Sequence, residues 1–382
     1  MLWPAPGRTF AVSLGARRGS SSALTSYNSL RASRTRLARR VLGLGLRTGL
    51  AQPLLRDKID IGVLRGAASA ELAEDLITDH LQRLFGRGPV GIAVSGGSGP
   101  FRKPVLQVFA ADGMPLGYIK VGWNDWTRQA VSREAAALQA CMTNQMLLGV
   151  PPLLDRSSWR NLDLLVTGPL PRGIRRTGAG SGPPDARVLR EISELVPGSD
   201  GELAASPWWL GVRSRIHGAV VDPEARSALE LAAERIERAY GSVPLKFGTW
   251  HGDLVPWNLG RCGTRLYAWD WESSTPDVPL GFDAVHFYYS VAFIARGRPL
   301  AEAAASAAGS ADAALKALGV PERSRHLVAI LHLVELALRH EEARQSTGEA
   351  DGRFYPAVTR VLERAIASSP GVAGPQPTGR AA

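Results

Sequence analysis

The hydrophobic pattern of this chain changes period once, and that change limits its fold more than any other feature. Residues 90–94, 104–111, 115–122, 152–159 and 162–167 are short β-type runs. Asp112-Gly113 and Arg160-Asn161 stand as hairpin turns between pairs of them. One helical stretch, 127–142, interrupts the run and keeps Val131, Ala135 and Leu138 on one side. A helix is also predicted upstream, over 70–85, from Leu72, Leu76, Ile77, Leu81 and Leu84. Residues 168–184 are rich in Gly, Pro and Arg and read as a linker with a loop. Beyond them helices dominate. Ser206-Pro207 and Asp222-Pro223 are N-cap and first-turn pairs, and 282–296, 299–318, 321–344 and 355–367 carry helical periodicity. Two short strands, 245–250 and 265–269, break the helical half. A sheet-forming part followed by a helical part predicts an α+β chain of two lobes, a small antiparallel sheet with one helix and then a mainly helical lobe.

Charge narrows the choice of partner. The formal net charge is +10, which suggests nucleic acid until it is located. Residues 1–56 hold ten arginines and no acidic residue, and the other 35 basic residues are matched by 35 acidic ones. The excess therefore belongs to the N-terminal arm, and no nucleic-acid partner is expected for the main body. Three readings of the arm compete. Its Arg- and Ser-rich, acid-poor composition suits a transit segment to an organelle. Leu30, Leu37, Val41 and Leu44 form a stripe with Arg36, Arg39, Arg40 and Arg47 largely opposite, which suits a basic helix on an anionic membrane surface. The third reading is an accessory helix packed on the body. No apolar run reaches the ~18 residues of a membrane span. Cys141 and Cys262 are far apart, with no Cys/His spacing of a zinc site, and suit a reducing compartment. The cytoplasm is the expected location, with an organelle the alternative if the arm is a transit segment.

The densest chemistry lies in Trp250-His251-Gly252-Asp253-Leu254-Val255-Pro256-Trp257-Asn258 and in Trp269-Asp270-Trp271-Glu272. Asp253, Asn258 and Asp270 supply a carboxylate to meet a hydroxyl, and an amide and a second carboxylate to hold magnesium on nucleotide phosphates. Lys120, on the strand over 115–122, is costly to bury unless it meets an anion. Glu134, on the next helix, is placed to hold that lysine as an ion pair. Ser95-Gly96-Gly97-Ser98-Gly99 is either a loop exposing N–H groups to phosphates or a plain hairpin turn; its spacing matches no nucleotide-binding glycine motif.

His251-Gly-Asp-Leu-Val-Pro-Trp-Asn258 followed by Asp270-Trp-Glu272 resembles the aminoglycoside phosphotransferase and choline kinase-like family, with its protein-kinase-like fold. The resemblance covers about residues 88–345. It implies Asp253 as the catalytic base, Asn258 and Asp270 as magnesium ligands, and Lys120, held by Glu134, as the phosphate lysine. Ser95, Gly96, Gly97 and Ser98 join Lys120 and Glu134 as nucleotide-binding candidates. It implies Asp283 as a brace of the catalytic loop and a structural role for His251. The chain departs from the family in two respects. Trp250, Trp257, Trp269 and Trp271 crowd the site, as core packing or as a stacking wall for an acceptor. Glu272, Asp277, Glu335, Glu341 and Glu342 are the acids available for a polycationic drug, but they alternate with His and Arg, so antibiotic resistance is not implied.

The expected function is transfer of the γ-phosphate of ATP, or of GTP, with magnesium to an alcohol hydroxyl of a small molecule. The acceptor is a sugar or metabolite before an aminoglycoside, with a choline or ethanolamine-type kinase as an alternative. A catalytically silent nucleotide-binding scaffold acting through the basic arm is the reading from another class. A protein kinase is disfavoured, because no Ala-Pro-Glu pattern follows Asp270. The expected divisions are a basic arm over 1–60, a nucleotide-binding lobe over 61–168, a helical catalytic and acceptor lobe over 169–367, and a disordered tail over 368–382.

Overall fold

The structure, a computed structural model, describes residues 2–5, 8–26, 33–51, 76–86, 91–96, 99, 101–220, 222–347, 362 and 364. The chain divides into two compact units. The first comprises Met1–Thr143, Gly149–Arg176 and Gly260–Glu272; the second comprises Asn144–Leu148, Thr177–Leu259 and Ser273–Ala382.

The first unit is built on a seven-stranded antiparallel sheet. In chain order its strands are β1 (Leu2–Ala5), β2 (Arg8–Val12), β3 (Gly91–Gly96), β4 (Val105–Phe109), β5 (Pro115–Gly122), β6 (Leu153–Trp159) and β7 (Leu162–Thr167), and they lie in the order β1-β2-β3-β4-β5-β7-β6. The five strands predicted between 90 and 167 are all present. Arg160, in the tight turn between β6 and β7, sits at φ 54. One face of the sheet buries Leu106, Val108, Ile119, Val121, Leu164 and Val166 against Leu81 of α3 (Ile77–Phe85). Residues 70–75 of the predicted upstream helix lie outside the described residues.

The opposite face holds α4 (Asp125–Thr143), whose Val131 and Ala135 pack on Leu165. It also holds the N-terminal segment. β2 pairs with β3 in the register Phe10↔Ser95 and Val12↔Ala93. Then α1 (Arg17–Thr25) and α2 (Ser33–Thr48) bury Ala23, Leu24 and Leu46 with Val12, Ala93 and Phe109. Among the described residues of the arm, two helices thus pack on the sheet and two strands extend it. The apolar stripe read in the sequence, Leu37, Val41 and Leu44, is exposed on α2, while Leu46 is buried and Leu42 packs beside it. The reason is close approach. A Cβ on Gly43 would lie 3.1 Å from the Thr25 side chain, so the small-residue face, not the most apolar one, meets α1. Arg39 secures the contact, donating to the carbonyls of Ala23 and Leu24 at the end of α1. Leu30 lies outside the described residues.

The second unit is mainly helical. Asp185 caps α5 (Ala186–Ser193), Ser206 caps α6 (Pro207–Ala219) and Asp222 caps α7 (Pro223–Tyr240), each through its side-chain oxygen. A short ladder follows, in which β8 (Phe247–Trp250) pairs antiparallel with β9 (Thr275–Pro279). Then come α8 (Phe282–Ser290), α9 (Leu300–Ser310), α10 (Asp312–Ala317) and α11 (Glu322–Thr347). The predicted helix over 282–296 changes to a π turn at Val291–Ala295, and that over 299–318 divides at Ala311. Of the helix expected over 355–367, only Leu362 and Arg364 are described, both helical. The tail over 368–382 lies outside the described residues. No described helix is long and apolar enough to cross a membrane.

Candidate active site

In the first unit the sheet pleat decides where Lys120 goes. Ile119 and Val121 enter the core on one face, so Lys120 between them turns to the face that carries α4. There its Nζ meets both carboxylate oxygens of Glu134, at 2.8 and 2.6 Å, and also Oδ1 of Asp270. Glu272 lies 3.9 Å away. Burial opposes the charge on Lys120, but Asp270, Glu134 and Glu272 outweigh it and hold the pKa above the ordinary lysine range. Burial pushes Glu134 the other way, up to about 7, against the pull of Lys120. The pair is best described as a cation held among three carboxyl groups. Asp270 adopts φ 74, a backbone conformation uncommon outside glycine and Asn/Asp and typical of constrained functional positions.

Sequence reasoning missed one member of this cluster. Lys103, just before β4, is almost fully buried and forms a 2.5 Å ion pair with Glu272. Glu272, expected among the acceptor-pocket acids, is instead turned to the two lysines, and Arg133 Nε donates to its backbone carbonyl at 3.0 Å. One oxygen each of Glu134, Asp270 and Glu272 lie within 4.8 Å of one another. Oxygen-only ligands of this kind suit a hard divalent cation. Of the glycine-turn candidates, Ser95 and Gly96 end β3 opposite Phe10 and Thr9, and Ser95 Oγ donates to the Val105 carbonyl at 3.4 Å. Gly97 and Ser98 lie outside the described residues.

In the second unit Asp253 sits on a loop that leaves β8 and is fixed at nearly every backbone group. The buried Asp283 carboxylate accepts the His251 N–H at 2.8 Å and the Gly252 N–H at 3.1 Å. Burial raises Asp283 to about 6, against those two N–H groups and the charges of His286 and Arg339. Gly252 has φ +79, and a Cβ there would lie 2.2 Å from the Ser273 carbonyl oxygen. Only glycine fits that approach. Arg339 of α11 lies over the Trp250 ring, 4.2 Å from its centroid, and donates to the carbonyls of Gly252 at 3.2 Å and Ser273 at 3.0 Å. His251 Nδ1 accepts the Asp253 N–H at 3.2 Å, which gives this histidine a role in loop geometry.

The Asp253 carboxylate is engaged at both oxygens. Asn258, from the turn Pro256–Asn258, donates Nδ2 to Oδ2 at 2.8 Å and to the Asp253 carbonyl at 3.1 Å. His286 Nε2 stands 3.4 Å from Oδ1. The Asp253 side chain remains 39% exposed, so a solute can reach it. The other acids proposed for an acceptor pocket are spent on neighbours. Glu335 and Glu342 pair with Arg215, Glu341 with Arg344, and Asp277 accepts the Ser199 N–H. Trp250 and Trp271 are fully buried, in favour of core packing over a stacking wall at those two positions.

No protein-family model matches the sequence, and no curated protein sequence does. Solved structures do match. A thermostable mutant of aminoglycoside phosphotransferase APH(4)-Ia, in ternary complex with ADP and hygromycin B, superposes with a TM-score of 0.52 at 13% identity, over 78% of this chain and 99% of that one. The chain shares the fold of that solved structure. Choline kinase LicA in complex with AMP, a protein also solved from Streptococcus pneumoniae, gives a TM-score of 0.48 at 15% identity, over 77% of this chain and 98% of that one. At 13% identity the likeness to APH(4)-Ia is one of protein-kinase-like fold, and it extends over nearly the full length of that solved chain.

Proposed function

We propose that this chain is a small-molecule kinase that moves the γ-phosphoryl group of ATP, with magnesium, to an alcohol hydroxyl. The observation that carries the reading is Asp253, a carboxylate with both oxygens engaged by N–H donors or a histidine nitrogen, on a loop braced by Asp283 and Arg339 yet open to solute. Phosphoryl transfer asks little covalent work of a protein, so positioning and charge dominate. Asp253 would orient the acceptor hydroxyl and take its proton late in transfer. Lys120, kept charged among carboxylates, would hold the nucleotide phosphates. Glu134 would fix the lysine's direction, and Lys103 would hold Glu272 in place.

The donor set fits magnesium, since every candidate ligand atom is oxygen. Asp270 would hold the ion, with Asn258, whose nitrogen is already committed to Asp253 and whose oxygen remains for a cation. The bound ion would offset phosphate charge and fix the nucleotide's orientation. Small-molecule acceptors and nucleotides are what structural neighbours such as the hygromycin B and ADP complex were solved with, in line with this class of reaction. The arginine pairing of Glu335, Glu341 and Glu342 leaves few free acids for a polycation and favours a sugar or other neutral metabolite as acceptor.

The test is a turnover screen with magnesium and ATP or GTP across sugars, choline, ethanolamine, homoserine and aminoglycosides. One acceptor should give ADP or GDP in step with a phosphorylated product. With that acceptor, Asp253→Ala should fold normally and lower turnover at least about 100-fold. Wild-type turnover in the Asp253→Ala protein would refute the mechanism, and nucleotide binding without any turnover would favour the silent scaffold.

A further inference from the structure

Behind Asp253 lies a pair of buried histidines that the kinase plan does not require. His286, three residues after Asp283 on α8, sends Nε2 toward Asp253 Oδ1 at 3.4 Å and toward Ser290 Oγ at 3.2 Å. Its Nδ1 stands 3.2 Å from Nε2 of His332, on α11. His332 has no exposure to solvent and is packed edge-on against Trp250, Phe282 and Tyr289. Its Nδ1 has no hydrogen-bond partner among the described residues. We propose that His286 is a positioning residue for Asp253, and that His332 makes it one by fixing its tautomer. This inference rests on the reading of Asp253 as the hydroxyl-orienting carboxylate.

The protons can be assigned from the network. An ionised carboxylate only accepts, so the histidine atom that faces Asp253 must carry hydrogen. With Nε2–H on a neutral His286, its Nδ1 is a bare acceptor and needs a donor. His332 Nε2–H is that donor, which leaves His332 Nδ1 bare, the one nitrogen with no partner. Every N–H in the pair then has an acceptor. The reverse arrangement turns a lone pair of His286 toward the carboxylate and strands a buried N–H at His332 Nδ1, and a stranded buried donor bears its full desolvation cost. Burial, with the charge of Arg339 nearby, holds His332 well below the ordinary histidine range, so it is neutral. A donor fixed at Oδ1, with Asn258 at Oδ2, sets the carboxylate plane and with it the direction in which Asp253 meets a hydroxyl.

The experiment has a spectroscopic and a kinetic arm. Long-range ¹H–¹⁵N correlation spectra of the full chain, ¹⁵N-labelled at its seven histidines, should show His286 and His332 both as Nε2–H tautomers. His332→Phe, which keeps a ring and removes the donor, should change the His286 pattern. A proton on His332 Nδ1, or a bare His286 Nε2, overturns the inference whatever the activity. In the kinetic arm turnover is read as ADP release from magnesium–ATP with water as acceptor. His286→Leu should lower kcat about 10- to 100-fold with KM for ATP unchanged, by analogy with the loss of groups that orient functional ligands. His286→Gln, which restores an N–H near the position of Nε2, should recover most of that loss. Equal kcat in His286→Leu and wild type, while Asp253→Ala is inactive, defeats the positioning role alone. Activity retained in Asp253→Ala defeats the kinase reading itself, and the positioning role with it.

Discussion

Arg339 is the side chain on which the geometry of the Asp253 loop most depends, and its replacement by methionine gives a quantitative test. The guanidinium donates to two backbone carbonyls, of Gly252 and Ser273, lies 4.2 Å from the centroid of the Trp250 ring, and pairs with Glu335 at 2.9 Å. Methionine keeps most of the packed stem and removes the charge and all the hydrogen bonds. Hydrogen bonds from a charged donor contribute ~1.5–3 kcal/mol each, and a partly desolvated cation–π contact contributes ~1–2 kcal/mol. These contributions overlap, because the groups share one side chain. Glu335 also keeps Arg215, at 2.7 Å, so it is not left as an unpaired buried charge. The expected loss in the second unit is therefore about 3–5 kcal/mol. Arg339→Lys retains the charge without the planar fork, reaches one carbonyl at most, and should lose about half as much. Urea unfolding followed by tryptophan fluorescence reads the difference, since Trp250 reports the contact directly. The same variants should lower turnover, because Gly252 immediately precedes Asp253. A loss below about 1 kcal/mol for Arg339→Met, with an unchanged denaturant slope, would refute the argument that this side chain holds the loop.

Two further outcomes follow from burial. Asp283 is held near pKa 6 in the fold against ~3.9 for an ordinary aspartate, so between those values the folded state keeps a proton that the unfolded chain has released. Its contribution is fully present below about pH 4 and is lost as pH rises through 6, a fall of roughly 3 kcal/mol. The His251 and Gly252 N–H groups, His286 and Arg339 face the carboxyl, so the comparison is between wild type and Asp283→Asn. The variant's urea midpoint should lack that segment of slope across pH 4–7; parallel curves would refute the assignment. On the N-terminal segment, Leu46→Ala should cost ~2–5 kcal/mol and Leu44→Ala no more than ~0.5 kcal/mol. Leu46 is buried and Leu44 is 63% exposed, and thermal unfolding in which Leu44→Ala is the costlier variant would show the opposite face of α2 to be the packed one.

Much of the chemistry was legible along the chain because it is encoded locally. The strand with Lys120, the helix with Glu134, and the loop from His251 to Asn258 each carry their own periodicity or turn signal. Hydrogen bonding of Asn258 to Asp253 spans five residues and needs only one tight turn. The N-terminal segment was legible as helical but not as part of the sheet. Strand pairing between Phe10 and Ser95 is a non-local choice, and backbone hydrogen bonds leave little trace in residue type. Which face of α2 packs on α1 was not legible, because apolar periodicity marks an amphipathic helix without saying which small residues another helix needs for close approach.

Sequence alone therefore determined the order of sheet and helices, the pairing of Lys120 with Glu134, and the approach of Asn258 to Asp253, since each follows from local propensity or short spacing. Only the tertiary structure decided that Lys103 pairs with Glu272, that Arg339 holds the Gly252 carbonyl, and that His286 and His332 stand behind Asp253. These contacts join residues 33 to 169 positions apart, and nothing in one-dimensional pattern couples them. They form because buried charges and N–H groups must find partners wherever the chain's packing brings them.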